Sequence, residues 1–475
     1  MHPWAGRSDE VRLGVFTRWV TPELVADALV ACGRMDKNPG ALPAGFMVYF
    51  TLALALFQQD SYDDVAENLT GAIPGMSSQI PNKASFTRAR QRLGPEVVER
   101  VFRALAGALA PESHAGSFYR GMRLAAVDGC VLDTPDTPAN RAAFGGPMKN
   151  GQNAGFPQVR LVTLTECGTH AQIDAAMGGF NGGERELAIS LAGSAKGMLV
   201  IMDRGFPGVE LWKAYLGAGA HLLIRARSPV AHRPTEHLPD GTYLARMNLA
   251  GQKGAHPGGV LVRVIEYRVD EGETVRLLTD LLDPAAFPAA ELAALYHRRW
   301  EAESAFRQIK TFQRGPAEVL RSGDPDLVRQ EMWAHLAVHH CLTQVIMHLA
   351  ETSRIDPDRV SFVKVLKHAR RSVLRQSADT PRKIKKFLAA VAAKVHRKLD
   401  NGTRRMREAD RHLKRPDSKY SSKLSYRINT RDRSPTRLPA AADATPDVPP
   451  STPPTTPEAP GRRPVRPTQT TDPTV

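Results

Sequence analysis

The sequence predicts an α/β fold: a mixed sheet flanked by helices, set between a helical N-terminal region and a helical, basic C-terminal region. Two observations carry the prediction. Between about residues 118 and 227, short apolar runs alternate with amphipathic segments of helix length, whereas the flanking regions read as helical. The 475 residues are 42% hydrophobic, enough for a sizeable core and for two or three domains.

Taken in order, residues 1–115 read as a helical domain. Its longest apolar run, GFMVYFTLALALF from Gly45 to Phe57, is too short to span a bilayer and predicts a buried helix. YDDVAENLTG and NKASFTRARQRLG follow as two helical pieces, separated by the Gly/Pro/Ser-rich AIPGMSSQIP. In the second piece Ser85, Arg88 and Arg92 share one face, as a helix binding a DNA end requires, although an ordinary exposed helix has the same look.

Residues 116–330 carry the sheet. MRLAAVDGCVLD, QVRLVTLTE, HAQIDAAMG, MLVIMDRGF and AHLLIRAR read as strands, with ERELAISLAG and GVELWKAYLGAG as helices among them. Three strands in succession, then alternating helices and strands, imply a mixed sheet. Residues from about 228 to 287 form a β-rich insertion, with GVLVRVIEYRVD and ETVRLLTDLLD its clearest strands. Within 331–433, EMWAHLAVHHCLTQVIMHLAE predicts a buried helix, and a basic stretch follows. Residues 434–475 are Pro, Thr, Ala and Asp with almost no large apolar side chains, which predicts a disordered tail.

The four cysteines, Cys32, Cys130, Cys167 and Cys341, are isolated, which argues against a zinc module or disulfide framework and suits a reducing cytoplasm. The opening MHPWAGRSDE lacks the basic-then-apolar pattern of a signal peptide. The formal charge is +15, and from Lys364 to Lys423 there are 20 Lys/Arg against 5 Asp/Glu. Such a stretch points to a polyanionic partner, nucleic acid first. A membrane surface fits less well, because only KIKKFLAAVAAKV sets apolar residues against its cations.

One segment bears directly on chemistry. YHRRWEAESAFRQIK, from Tyr296 to Lys310, contains no helix breaker and reads as a single helix. At about 100° per residue, Tyr296, Arg299, Glu303 and Lys310 share an arc of about 60°, beside an apolar arc of Leu295, Ala302, Ala305, Phe306 and Ile309. Arg299 and Glu303 have the spacing of an ordinary helical ion pair. The alternative is a glutamate that holds a metal among cations that hold phosphates, which needs acids from elsewhere. Asp128, after the apolar LAAV, falls at or near the centre of the first strand, and Asp203, after MLVIM, ends a buried one. Each alone is also compatible with a strand cap or turn. Together with Glu303 they suit a reaction in which two divalent ions about 4 Å apart activate a nucleophile and stabilise the leaving oxygen of a phosphodiester. Hard ions such as Mg²⁺ take oxygen ligands and keep several waters, so three carboxylates suffice. Nearby Arg and Lys neutralise phosphate charge and hold the strand in line.

AVDGCVLDTPDTPANRAAFG resembles the first motif of DDE transposases of the insertion sequence four group, including Asp136, Thr137 and Asn140. VIMDRGFPGVELWKAYLGAGAHLLIRAR resembles the second motif, and YHRRWEAESAFRQIK has the spacing of the signature Tyr-x2-Arg-x3-Glu-x6-Lys. RARQRLG and LKRPDSKY extend the resemblance to roughly residues 45 to 430. It implies a ribonuclease-H-like catalytic domain, interrupted by the β-rich insertion. Asp128, Asp203 and Glu303 are then the catalytic acids and hold two ions, Mg²⁺ with Mn²⁺ as the alternative. Tyr296, Arg299 and Lys310 contact phosphates, and Arg204 helps to position Asp203.

The family cuts DNA at the terminal inverted repeats of its element and joins the 3′ ends to target DNA, within a synaptic complex of two protomers. The resemblance thus implies double-stranded DNA and a second copy as partners, no membrane, and a bacterial, nucleoid-associated protein of the cytoplasm. Candidate dimer contacts are the helices after residue 330. Relatives often pass through a hairpin with a flipped base stacked on an aromatic residue of the insertion. Here the insertion has no Trp, only Tyr243, Tyr267 and Phe287. Two other readings stand beside this one. A ribonuclease-H-like nuclease without strand transfer shares the acids but needs neither the Tyr/Arg/Lys face nor the N-terminal helices. A transposase-derived DNA-binding protein without catalysis does not require three intact acids.

Overall fold

The computed structural model describes residues 10–396, apart from 38–39, 74–75, 77–79, 115, 228–232, 249–258, 269–273, 316–318 and 376–379. The basic stretch beyond residue 396, LKRPDSKY and the tail lie outside the described residues.

The N-terminal helices are α1 (Pro22–Ala31), α2 (Ala44–Leu56), α3 (Tyr62–Thr70), α4 (Lys83–Leu93) and α5 (Pro95–Leu105). Their starts are written in the sequence: Thr21 caps α1, Ser61 and Asp64 form a capping box on α3, and Asn82 caps α4. Helix α2 is apolar all round and accordingly buried on every side, Gly45 alone excepted. Its core continues onto α11 (Pro325–Ser353), α12 (Phe362–Leu374), α13 (Pro381–His396) and one face of the sheet through Leu132, Val159 and Leu161.

The sheet contains β1 (Met122–Asp133), β2 (Gln158–Glu166), β3 (Gln172–Gly179), β4 (Met198–Met202) and β5 (His221–Arg225) in the spatial order β3-β2-β1-β4-β5. The first three pair antiparallel, whereas β4 and β5 run parallel to β1. Helices α7 (Glu184–Ser190) and α8 (Val209–Gly217) make the crossovers. This is the ribonuclease-H-like arrangement, with helices on both faces. Helix α6 (Pro138–Phe144) follows β1 and is capped by Thr137.

The insertion supplies β6 (Pro234–His237), β7 (Tyr243–Met247), β8 (Val260–Arg268) and β9 (Thr274–Thr279). These strands continue the same sheet in the order β5-β9-β8-β7-β6, with Leu278 paired to Ile224. The insertion thereby covers the edge that β5 would otherwise expose. Val262, Val264 and Leu278 join the core that contains Trp212 and Ile224.

The expectation of one regular helix from Tyr296 to Lys310 is corrected. Helix α9 (Ala289–Tyr296) ends at the tyrosine, a tight 3₁₀ turn covers His297–Arg299, α10 spans Trp300–Arg307, and a π turn covers Gln308–Gln313. The π turn coincides with tertiary hydrogen bonds. His339 and Gln308 pair at 2.9 Å, and the Gln313 amide donates to the His335 carbonyl at 3.0 Å, which suits a wider winding than the α-helix. The apolar arc survives, since Ala302, Ala305, Phe306 and Ile309 are all buried.

Candidate active site

Strand alternation puts Leu124, Ala126 and Asp128 on the face covered by α9 and α10. The parallel pairing of β1 with β4 ends at Val127 opposite Met202. The next residue on each strand is an aspartate, Asp128 and Asp203, and beyond them β1 runs on past the end of β4. The two carboxylates therefore flank a notch at the carboxyl end of β4. Such crevices at strand ends are where α/β sheets bind ligands.

Asp203 is oriented by the backbone. The Gly205 N–H donates to its Oδ1 at 2.7 Å, and Arg227 donates to the carbonyls of Arg204 and Gly205 at 3.0 and 3.1 Å. The Arg204 side chain itself is exposed, so the turn rather than the Arg204 guanidinium sets the carboxylate. Glu303 reaches the notch from α10. Arg299 donates to Glu303 Oε1 at 2.7 Å and stands 4.0 Å from Asp128 Oδ2, bridging the helix and the strand.

The electrostatics tie the three acids into one site. Burial pushes the Asp128 carboxyl up to about 6, opposed by Arg299 and by the Gly129 N–H at 3.0 Å, and reinforced by the charges of Asp203 and Glu303. Tyr296 is buried beside Arg299, and burial raises its phenol to about 12. Lys310 is exposed, with its charge acting on Cys130, two residues along β1 from Asp128. Among the described residues, no three His, Cys, Asp or Glu side chains are gathered closely enough to hold a metal ion as they stand. Arg299 supplies the positive charge between two of the acids instead. The donor set, all carboxylate oxygen, is nonetheless the type that a hard divalent ion takes.

Residues 10–103 match the family model for the insertion element 4 transposase N-terminal region, and residues 119–340 match that for the transposase DDE domain. The transposase InsG of insertion sequence element IS4 from Escherichia coli (strain K12) is 30% identical over 413 residues, covering 85% of this chain and 92% of InsG. The chain belongs to the insertion element 4 family of DDE transposases. The putative transposase InsZ of the same organism is 26% identical over 228 residues, 47% of this chain and 74% of InsZ. Among solved structures, the cryo-EM structure of a piggyBac transposase synaptic complex with hairpin DNA matches at 12% identity and a TM-score of 0.44, covering 79% of this chain and 84% of that one. That likeness is too remote to bear on the site. The DDE domain makes this transposase an enzyme and implies dependence on a divalent metal.

The other residues singled out in the transposase sequence make their contacts with other elements of the fold. Thr137 caps α6 and donates to the Gly323 carbonyl at 2.7 Å, while Asn140 donates to the carbonyls of Pro135 and Ser322, each at 3.1 Å. They fasten the segment after β1 to the loop before α11, and Asp136 pairs with Arg141 at 2.6 Å. Arg88 and Arg92 are exposed and Ser85 half-buried on α4, which packs against α2, α3 and α11. In the insertion, Tyr243 donates to Glu266 at 2.8 Å, Phe287 lies 6.4 Å from the Tyr119 ring, and Tyr267 is half-buried. No membrane-spanning role is supported by helix length, since no helix among the described residues is long and apolar enough to cross a membrane.

Three residues escaped sequence reasoning. Arg227 is the last residue of the segment that resembles the second motif, so its place beside the Asp203 turn had a local signal. Arg90 lies four residues after Phe86 and three before Leu93, on the buried face of α4, and that spacing marks it as structural. Glu184 begins the helix between the third and fourth strands, and only the folded chain brings it to Gly129.

Proposed function

We propose that this transposase binds the terminal inverted repeats of its insertion element, cleaves the DNA ends by two-metal phosphodiester chemistry and joins the 3′ ends to target DNA. The observation that carries the reading is the register of β1 on β4, which sets Asp128 and Asp203 side by side, with Arg299 linking Asp128 to Glu303. Asp128, Asp203 and Glu303 would hold two Mg²⁺ ions, with Mn²⁺ as a substitute, which would supply activation of the attacking water or sugar hydroxyl and stabilisation of the leaving oxygen.

Tyr296, Arg299 and Lys310 grip phosphates next to the cut, and Arg204, exposed beside Asp203, extends the same cationic rim. Ser85, Arg88 and Arg92 contact the terminal repeat from the helical region 1–115. The basic region 331–433 adds DNA affinity and dimer contacts, and catalysis proceeds in a synaptic complex of two protomers at the bacterial nucleoid. That InsG, which matches over most of its length, is the transposase of an insertion element supports this assignment.

The test is cleavage of a labelled duplex carrying the inverted repeat that flanks the gene, with Mg²⁺, comparing the wild type with Glu303→Ala. The expected result is cutting at the repeat boundary by the wild type and binding without cutting by the variant. Binding without cutting by both proteins would make the chain a DNA-binding relic of a transposase.

A further inference from the structure

Between α6 and β2 the chain makes a short hairpin. Met148–Lys149 pair antiparallel with Gln152–Asn153, and Asn150 and Gly151 at the tip both take positive φ, 52° and 76°, as a tight two-residue hairpin turn demands. Its base is fastened. The Arg141 guanidinium donates to the Gly155 carbonyl at 3.1 Å, and the Gln158 N–H donates to the Gly145 carbonyl at 2.9 Å. A Cβ at Gly146 would stand 2.7 Å from the Phe156 carbonyl oxygen, so the glycine lets the two arms approach.

The hairpin stands at the end of the sheet where the notch opens, because β1 runs parallel to β4 and continues past it. From Asp128 to Asp133 the strand covers about 17 Å, and at the hairpin's root the Gln158 amide donates to Asp133 at 2.7 Å. That span is about half a helical turn of duplex DNA. Every residue from Met148 to Phe156 is exposed, with Met148 59% and Phe156 46% open to solvent. Two uncovered apolar side chains thus share one held hairpin with Lys149, Asn150, Gln152 and Asn153. Its charge points to the partner, since from Thr137 to Thr165 the sequence has no Asp or Glu, and Arg141, Lys149 and Arg160 are its cations. A two-stranded ribbon fits a DNA groove, where amides and cations meet base edges and phosphates and apolar side chains wedge against bases. A second protein would need a larger apolar core than two side chains, in an interface of about 800 Å² a side.

We propose that this hairpin is a DNA-contacting element of the transposase, engaging the duplex of its own element's end within about one helical turn of the cut. Lys149 grips a phosphate, Asn150, Gln152 and Asn153 meet the groove, and Met148 and Phe156 press on the bases. This role rests on the end-cleaving function proposed above, which brings that duplex to the notch.

The test is binding and hydroxyl-radical footprinting of the labelled repeat duplex by the full chain without divalent metal, which leaves the duplex uncut, with thermal melts of each protein. Met148→Ser combined with Phe156→Ser is expected to bind about tenfold more weakly and to lose protection within about one helical turn of the repeat boundary. It should melt like the wild type, since both side chains are exposed. Lys149→Ala is expected to reduce the slope of log K against log salt by about 1, and an unchanged slope would overturn the phosphate contact. A double variant with wild-type affinity and footprint would overturn the proposal, and so would one that melts early, which would place the two side chains in the core. Unchanged binding of the repeat with loss only of joining to target DNA would move the hairpin to the target duplex and overturn the assignment. Full binding of a single end with loss of the two-protomer complex in sedimentation would make it a protomer contact instead. If the wild type binds the repeat and the variants bind it equally well, the hairpin alone is excluded. If the wild type does not bind the repeat, the end-cleaving function fails and the hairpin's role falls with it.

Discussion

The polar network between α4 and α11 and the acidic notch between β1 and β4 both take charge out of bulk water, but they treat it differently. In the network, buried Glu331 accepts from Gln58 at 3.1 Å, from the Arg321 N–H at 3.2 Å and from Ser322 at 2.9 Å. Arg90, equally buried, donates to Gln330 at 2.7 Å, to the Leu327 carbonyl at 3.0 Å and to the Tyr62 hydroxyl. In the notch, Asp128 has one N–H donor and a guanidinium at 4.0 Å, and two other acids raise its pKa further. Saturated partners mark charges that hold the fold, whereas acids crowded together with too few cations mark charges kept for a ligand.

The sharpest way to break that comparison is to truncate the saturated side. Glu331→Ala leaves Arg321, whose pKa burial already lowers, without its main counter-charge. It also strips Gln58, the Arg321 N–H and Ser322 of their acceptor, and each buried polar group left unsatisfied costs about 1–3 kcal/mol. Chemical denaturation of the variant should therefore show a large drop in midpoint, and a wild-type midpoint would mean that the network is not saturated after all.

Asp128→Asn should do the reverse. Losing a partner outside the ligand set of a metal site already costs about 10–100-fold in affinity or activity, so removal of a ligand should lower strand cleavage by more than about 100-fold. Stability should hold or rise, since the amide removes a buried charge that Asp203 and Glu303 repel. A variant that cuts normally, or one that unfolds, would place Asp128 with the structural charges.

This contrast explains what was legible in the sequence. The apolar runs before Asp128 and Asp203 located both strands, and Gly45 to Phe57 located the buried α2, because burial leaves its mark on consecutive residues. The π turn over Gln308–Gln313 was not legible, since its side chains bond to His335 and His339 of another helix rather than following local propensity. Nor does alternation disclose which strands are neighbours, so the joining of the insertion to β5 had to be seen in the fold. The acids were legible as a set through their motif spacing, while the reach of Glu184 to Gly129 was not.

The same α11 gives a third, smaller test. His335, His339 and His340 are fully buried, and burial lowers all three pKa values, that of His339 to about 3 and that of His340 to about 4. Their folded pKa values lie below the unfolded value near 6.5, so the unfolded chain binds more protons as pH falls through that window. Stability should consequently decline as pH drops from 7 to 5, by about 2 kcal/mol for each such histidine. The check is the pH dependence of unfolding in His340→Leu, which should lose about one histidine's share of the slope. An unchanged slope would show His340 to be hydrated and out of the core.

Arg227 sits at the border between the two kinds of charge and is expected to give the smallest effect. It is exposed, yet both of its hydrogen bonds run to carbonyls of the turn that orients Asp203. Exposed pairs contribute at most about 1 kcal/mol to stability, so Arg227→Ala should melt close to the wild type. Cleavage should fall by about tenfold, because a small misplacement of a catalytic group is felt strongly. Arg227→Lys separates the two ways of losing that factor. A lysine keeps the charge but lacks the planar fork that reaches two carbonyls at once. If Arg227 works by fixing the turn, lysine should cut no better than alanine, and Arg227 belongs with the groups that hold structure. If lysine restores cleavage, its charge acts on DNA phosphate, and the cationic rim of the notch extends past Arg204 to the end of β5.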